Sequence, residues 1–319
     1  MARPKNTTLR PDLGQTAYEY SLEAGQASFI GTRILPIFGT PLKSADYPVI
    51  VMAEMLRLQK TERAARSAYG RSDWAFDDDD YNCKENGWEE PVDDGEAEQY
   101  SNYFDAEEIA TNRAMDVVLR GQEKRIADLV MDTNTFTTNA AGTKWDVSAD
   151  ATIKKNVDTG SEAMYDRCGL RPNVVAMTWK AFLAAINSAE IKDYFKYTHP
   201  HLVDGLEAQR AILAQYLGVG EVVVGDSQFN AANKGTSTAS LQPIWEKSKV
   251  GLYRVTNNPQ NLKDPCIGRT FVWDKDGGDI VTVDQYREEQ IKSEVYRAAQ
   301  YSDEKLMMSG AGQIITGVL

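Results

Sequence analysis

Residues 169–230 constrain the fold of this chain more than any other stretch. Asn173 to Met177 is a short β-branched run after a Pro turn, and Thr178 stands where a helix cap belongs, ahead of Trp179, Phe182, Leu183 and Ile186 at i, i+3, i+4 and i+7. Ser188 is placed to cap a second helix. Leu206, Leu213, Tyr216 and Leu217 mark a later helix, Gly218 and Gly220 stop it, and Glu221 to Val224 is apolar enough for a buried strand. One strand, two or three short helices and a second strand make a compact α/β layer.

Upstream lies the longest expected helix. Asp105 with Glu108 three residues on forms a capping box, and the helical pattern persists to about Asp132. Met115, Val118, Leu119, Gln122, Ile126, Leu129 and Val130 share one stripe, with charges opposite. A helix of about 28 residues would be about 42 Å long, more than a compact domain of this size needs. A coiled coil is a weaker reading, because the apolar repeat covers few heptads. Residues 133–158 read as polar and Gly-containing, anchored by Trp145. After Asn230 the pattern gives a flexible loop, strand character at Ile244-Trp245 and Val250 to Val255, a strand at Phe271 to Trp273, and a turn at 274–279. One half-exposed strand from Tyr286 to Leu306 follows, then an apolar end at Ile314, Ile315 and Val318.

The first 45 residues read as an arm: Leu22, Phe29, Ile30, Ile34, Leu35 and Ile37 are too few to enclose a core, and four prolines punctuate them. Arg3, Lys5 and Arg10 make a basic tip, read either as a weak nucleic-acid footprint or as a mobile terminus. Residues 46–99 suit a long β-hairpin projecting from the body, since a structureless insertion of that length would be out of place. Charge is segregated along it. Residues 57–72 carry Arg57, Lys60, Arg63, Arg66 and Arg71 against Glu62 alone, whereas residues 73–100 carry twelve acids against Lys84. Opposite patches on adjoining segments fit a clasp between molecules, with Arg63, Arg66, Arg71 and Trp74 meeting Asp77, Asp78, Asp79 and Asp80; two solvated loop faces are the plainer alternative.

At 319 residues and 42% hydrophobic the chain can bury one sizeable core or two modest ones, and no apolar run approaches the roughly 20 residues needed to span a bilayer. The N-terminus lacks the apolar segment of a secretory signal, so folding in a cytoplasm is expected. Cys83, Cys168 and Cys266 are isolated and odd in number, which points to reduced thiols. Catalytic readings fail on specific requirements. Gly225-Asp226-Ser227 resembles an esterase nucleophile block, but His199 and His201 both precede it. Gly218-x-Gly220 follows a helix and precedes a strand, the reverse of a dinucleotide loop. The Asp77 to Asp80 run lacks calcium-loop spacing, and His199-Pro200-His201 has no partner Cys or His. No enzyme, cofactor or metal is expected; a soluble enzyme of unknown type is a remote alternative.

The G-x-x-P-N turn at 169–173, the Ile-Lys-Asp-Tyr segment at 191–194, Leu-Ala-Gln-Tyr-Leu-Gly-Val at 213–219 and Asp-Ser-x-Phe-Asn at 226–230 together resemble the axial domain of tailed-bacteriophage major capsid proteins. That fold is the Hong Kong 97-like one, shared with encapsulins. Residues 29–50 resemble the passage from arm to extended loop, and Tyr81-Asn82-Cys83 is similar to a Tyr-x-Cys element of that loop. The resemblance runs from about Phe29 to the C-terminus. It implies an α+β fold with an N-terminal arm at 1–45, an extended β-hairpin loop at 46–99, a peripheral domain at 100–169 and 281–319 with a spine helix at about 105–132, and an axial domain at 170–280. It further implies a structural subunit that self-assembles through hexamers and pentamers into an icosahedral head around double-stranded DNA, made in the bacterial host cytoplasm. An encapsulin-like shell around a cargo protein is the alternative. Some members carry a long charged helical scaffold region before the arm, whereas this chain starts almost directly at the arm; either a separate scaffolding protein is expected, with a portal and possibly a decoration protein, or that region lies elsewhere. Lys60 is the only lysine near the loop tip, and nothing in the sequence carries over the family's Lys–Asn cross-link.

Overall fold

The computed structural model describes residues 8–9, 29–50, 56–59, 61–71, 76–100, 106–147, 149–198, 205–233, 238, 240–275 and 280–319. In chain order their elements are β1 (Thr8–Leu9), α1 (Gly31–Ile34), β2 (Ile37–Thr40), β3 (Ser44–Ile50), β4 (Phe76–Asn82), β5 (Lys84–Asp93), α2 (Asp94–Tyr100) and α3 (Ala106–Val130). Then come β6 (Thr138–Ala140), α4 (Ile153–Cys168), β7 (Val174–Thr178), α5 (Trp179–Asn187), α6 (Ala189–Thr198), α7 (Leu206–Leu217), β8 (Glu221–Gly225) and β9 (Gln228–Asn230). The last are β10 (Leu241–Pro243), β11 (Lys249–Tyr253), β12 (Gly268–Trp273), β13 (Thr282–Glu288), β14 (Ser293–Leu306) and β15 (Gly312–Thr316). The fold is mixed α+β.

The α/β layer forms as its local signals require. Thr178 Oγ1 accepts from Ala181 N at 3.4 Å to start α5, Ser188 Oγ accepts from Ile191 N at 3.3 Å to start α6, and Gly218 ends α7 in the left-handed region at φ 74°. β7 and β8 pair in parallel within a five-stranded sheet of order β6-β15-β11-β7-β8. Both faces are covered, which is why β7 is buried at every residue. Val175, Met177, Val222 and Val224 pack with Trp145, Phe182 and Leu213 on one side. Val174, Ala176, Val223 and Tyr253 turn to the other, against Ile126 and Val130 of α3.

The second sheet has six strands, in the order β1-β13-β14-β12-β2, with β5 added along β14. The N-terminal half of α3 lies on it, Ala114, Met115, Val118 and Leu119 meeting Val283, Tyr296 and Ala298. Its 25 residues make a rod of about 37 Å that serves both sheets, and this accounts for its length. All of the expected stripe except Leu129 is buried.

One charged residue on α3 is buried as deeply as the stripe. Glu123, 2% exposed, accepts from Ile30 N at 2.8 Å, Gly31 N at 2.8 Å and Trp245 Nε1 at 2.7 Å. Its carboxylate thus caps α1 and fixes the chain beyond β10 to the long helix. Gly31 is required there, because a Cβ would stand 2.6 Å from Glu123 Oε2.

Three local expectations are corrected. The polar reading of 133–158 conceals α4, which buries Ile153, Val157, Gly160, Met164 and Cys168 on one face and donates its N-terminal N–H groups to Glu190, from Ile153 N at 2.7 Å and Lys154 N at 3.2 Å. Residues 286–306 are not one strand: the chain reverses at 289–292, with Lys292 at φ 48°, so that β13 pairs with β14. Within 46–99 only β3 and β4 pair as a hairpin, since β5 runs along β14 from Asp93↔Ser293 to Lys84↔Ser302. β15 joins the five-stranded sheet beside β11, and its Ile314 packs with Ile126 and Val130 of α3. The capping box at Asp105 lies outside the described residues.

Candidate assembly surface

The charged segments that sequence analysis singles out fall on β3, β4 and the loop between them. Antiparallel register sets Ala45 opposite Tyr81, Asp46 opposite Asp80, Tyr47 opposite Asp79, Pro48 opposite Asp78 and Val49 opposite Asp77. Alternation therefore divides the four aspartates between two faces. Asp79 shares the inner face with Tyr47 and Tyr81, whereas Asp78 and Asp80 share the outer face with Asp46. Asp46 and Asp80 are like charges directly opposed, a destabilising pair. Lys305 Nζ stands 3.8 Å from Asp79 and from Asp80.

An aromatic lock holds the inner face to the body. Tyr81 stacks on Phe271 of β12 with ring centroids 4.5 Å apart, Tyr47 flanks the same ring at 5.5 Å, and Tyr81 Oη lies 2.7 Å from Thr40 Oγ1. Tyr47 donates to Asp79 Oδ2 at 2.8 Å; burial first, then that carboxylate, push its phenol well above the ordinary range. Cys83, fully buried where β4 passes into β5, has its thiol pushed up to about 11 by burial and by Asp303, so it stays protonated. The Tyr-x-Cys element is thus the root of the hairpin. The lock partner Phe271 was legible only as a strand residue, because the pairing spans 190 positions.

The loop beyond the hairpin is exposed at every described residue from 56 to 71. Leu58 is 98% exposed and Tyr69 73%. Arg63 Nη1 donates to Ser67 O at 2.9 Å and its guanidinium covers the Tyr69 ring at 4.5 Å, while Arg66 adopts φ 68° in the intervening turn. Arg63, Arg66 and Arg71 reach no carboxylate among the described residues. Trp74 and Lys60 lie outside the described residues.

The acids that follow belong to the six-stranded sheet. Glu89 pairs with Arg297 at 3.5 Å, Trp88 Nε1 donates to Glu90 at 2.9 Å, and Asp94 accepts from Arg287 at 2.6 Å. Among the described residues no three Asp, Glu, His or Cys converge on a metal-sized centre, and no helix is long and apolar enough to cross a membrane. Ser227 is buried. His199 and His201 lie outside the described residues.

Known proteins agree with this architecture over nearly the whole chain. No family model matches. The major capsid protein of Burkholderia phage BcepMu is 24% identical over 306 residues, 92% of each chain. The crystal structure of a phage-related protein from Bordetella bronchiseptica RB50 superposes with a TM-score of 0.73 at 19% identity, covering 98% of this chain and 99% of that one. A virus-like particle from Pyrococcus furiosus shares the fold with a TM-score of 0.56 at 11% identity, over 95% and 98% of the two chains. The chain is a homologue of a phage major capsid protein.

Proposed function

We propose that this chain is the structural subunit of a phage head, assembling with copies of itself. The observation that carries this reading is the 24% identity to a curated major capsid protein over 92% of both chains. The long helix shared by two sheets, the α/β layer and the hairpin beyond the body support assigning it to the Hong Kong 97-like fold, with an arm at 1–45, an extended loop, a peripheral part on α3 and the six-stranded sheet, and an axial part on the five-stranded sheet. The pairing of β5 and β15 supports narrowing the loop to 44–82 and grouping 312–316 with the axial part. Copies would form hexamers and pentamers of an icosahedral shell around double-stranded DNA, made in the host cytoplasm with a scaffolding protein, a portal and possibly a decoration protein. With a net charge of −12 and no basic stripe, such a wall would hold its genome weakly.

The inter-subunit contacts we assign to the hairpin are Arg63, Arg66, Arg71 and Trp74 on the loop and Asp77, Asp78, Asp79 and Asp80 at its base. Support comes from the exposed arginines without a carboxylate of their own and from the outward Asp78 and Asp80. Closed symmetry reuses one such contact in every copy.

Size-exclusion chromatography with negative-stain microscopy tests the reading. Shells or rings of five and six subunits are expected, alone or with phage assembly partners; a monomer that persists with those partners would overturn it. Particle contents decide between a head, with nucleic acid, and an encapsulin-like shell, with one co-purifying enzyme. Deleting 57–72 should abolish shells and leave the α/β layer folded. Reversing Arg63, Arg66 and Arg71 to Glu isolates the electrostatic part, and unchanged assembly at low salt would dismiss the clasp.

A further inference from the structure

A crevice of about 540 Å³ opens where the root of the arm meets the start of β7, the start of β8 and the chain leaving β11. Arg33 of α1 and Arg254 line it, with Glu221 as their one acidic neighbour in the wall. That carboxylate is already engaged, because Arg33 Nη2 donates to Glu221 Oε1. Arg254 is the charge left over. It is half-buried, its Nε is enclosed without a hydrogen-bond acceptor, and no carboxylate among the described residues lies within ion-pair distance. Two polar neighbours are committed elsewhere: Asn173 makes two hydrogen bonds with the Val255 backbone, at 2.8 and 2.7 Å, and Thr256 Oγ1 bonds Asp264.

A guanidinium withdrawn from water is stabilised when an oxyanion meets its planar fork of donors, and an enclosed N–H without an acceptor is destabilising. We propose that this crevice is an oxyanion-binding notch, with Arg254 as the principal ligand and Arg33 as the second, taking one carboxylate or phosphate group. The volume suits a side chain or a small anion and is far too small for a nucleic-acid duplex. In an assembled shell the source is a carboxylate of a second copy, which a chain with 47 acids against 35 basic residues supplies in excess; only this choice of source rests on the shell reading. A seated oxyanion ties α1 to the end of β11 and so holds the arm root against the five-stranded sheet.

The test is thermal unfolding of the full chain against inorganic phosphate, with Arg254→Met and Arg254→Lys beside the unsubstituted protein. Phosphate also stabilises proteins generally by exclusion from their surface, and that rise continues without saturating and is common to all three. The notch adds a saturable rise in the unsubstituted protein, with its midpoint moved roughly tenfold or more to higher phosphate in Arg254→Met and less in Arg254→Lys. No saturable component, or the same component in Arg254→Met, overturns the proposal. Phosphate that blocks shell formation at the same midpoint identifies a neighbouring carboxylate as the natural occupant; phosphate that binds without affecting shells identifies a free anion. Should no shells form at all, the unfolding measurement still decides the notch by itself.

Discussion

Glu123 concentrates what single residues can do in this fold. Burial pushes its carboxyl up, while the N–H groups of Ile30, Trp245 and Gly31 pull it back. Glu123→Ala strands these donors in the core and should cost about 3 kcal/mol or more, read from urea unfolding. Because the folded-state value lies above the unfolded one, the folded protein takes up a proton more readily. Its contribution is therefore fully present below the ordinary carboxylate value and is lost as pH rises through the raised one. Glu123→Gln removes that slope, so the stability difference between the two proteins should change across this window and level off above it. The caps Thr178 and Ser188 were legible because each acts within three residues. Glu123 was not, because its donors lie 93, 92 and 122 positions away, and on a helix such a residue reads as part of the solvent face.

Elements were legible where one periodicity dominated. The stripe of α3 and the continuous apolar runs of β7 and β8 belong to that class. α4 carries a comparable stripe at Ile153, Val157, Gly160, Met164 and Cys168, but its outer face is crowded with Lys, Asp, Glu and Ser, and Gly160 breaks the apolar pattern. That glycine is a packing requirement, since a Cβ would stand 2.6 Å from Leu252 Cδ1. The β13–β14 reversal was hidden for a different reason: its turn, Glu-Gln-Ile-Lys at 289–292, contains neither Gly nor Pro. The hairpin is secured at its root through Tyr47 and Tyr81 on Phe271. Tyr81→Ala should loosen that attachment by about 3–5 kcal/mol, the range for large aromatic truncations. Hydrogen exchange should then speed up in 44–50 and 76–82 while α5 to α7 keep their protection; equal acceleration throughout would show that the hairpin is not a separate unit.

At the scale of the whole molecule, α3 makes one body of two sheets. Ile126 lies in the cluster that joins Ile30, Ile34 and Leu35 to one face of the five-stranded sheet, and the same helix carries Met115 and Val118 into the other sheet. Ile126→Ala should cost about 2–5 kcal/mol and still leave one unfolding transition; two separate transitions would mean that the sheets fold independently. The basic charge of 57–72 coincides with an exposed stretch, whereas the allocation of β5 depends on pairings across 200 residues or more, and that of β15 on pairings 59–67 positions away in β11 and 176 away in β6. β14 is where three strands meet, with β13 and β5 on its two sides along 293–299 and β12 taking over at 302–306. A pull on the hairpin enters this strand through Cys83 and the ten-residue β5. Where that force is directed along β5 it runs parallel to the strands, and the rungs of the β5–β14 ladder then resist sliding together instead of opening one after another like a zipper.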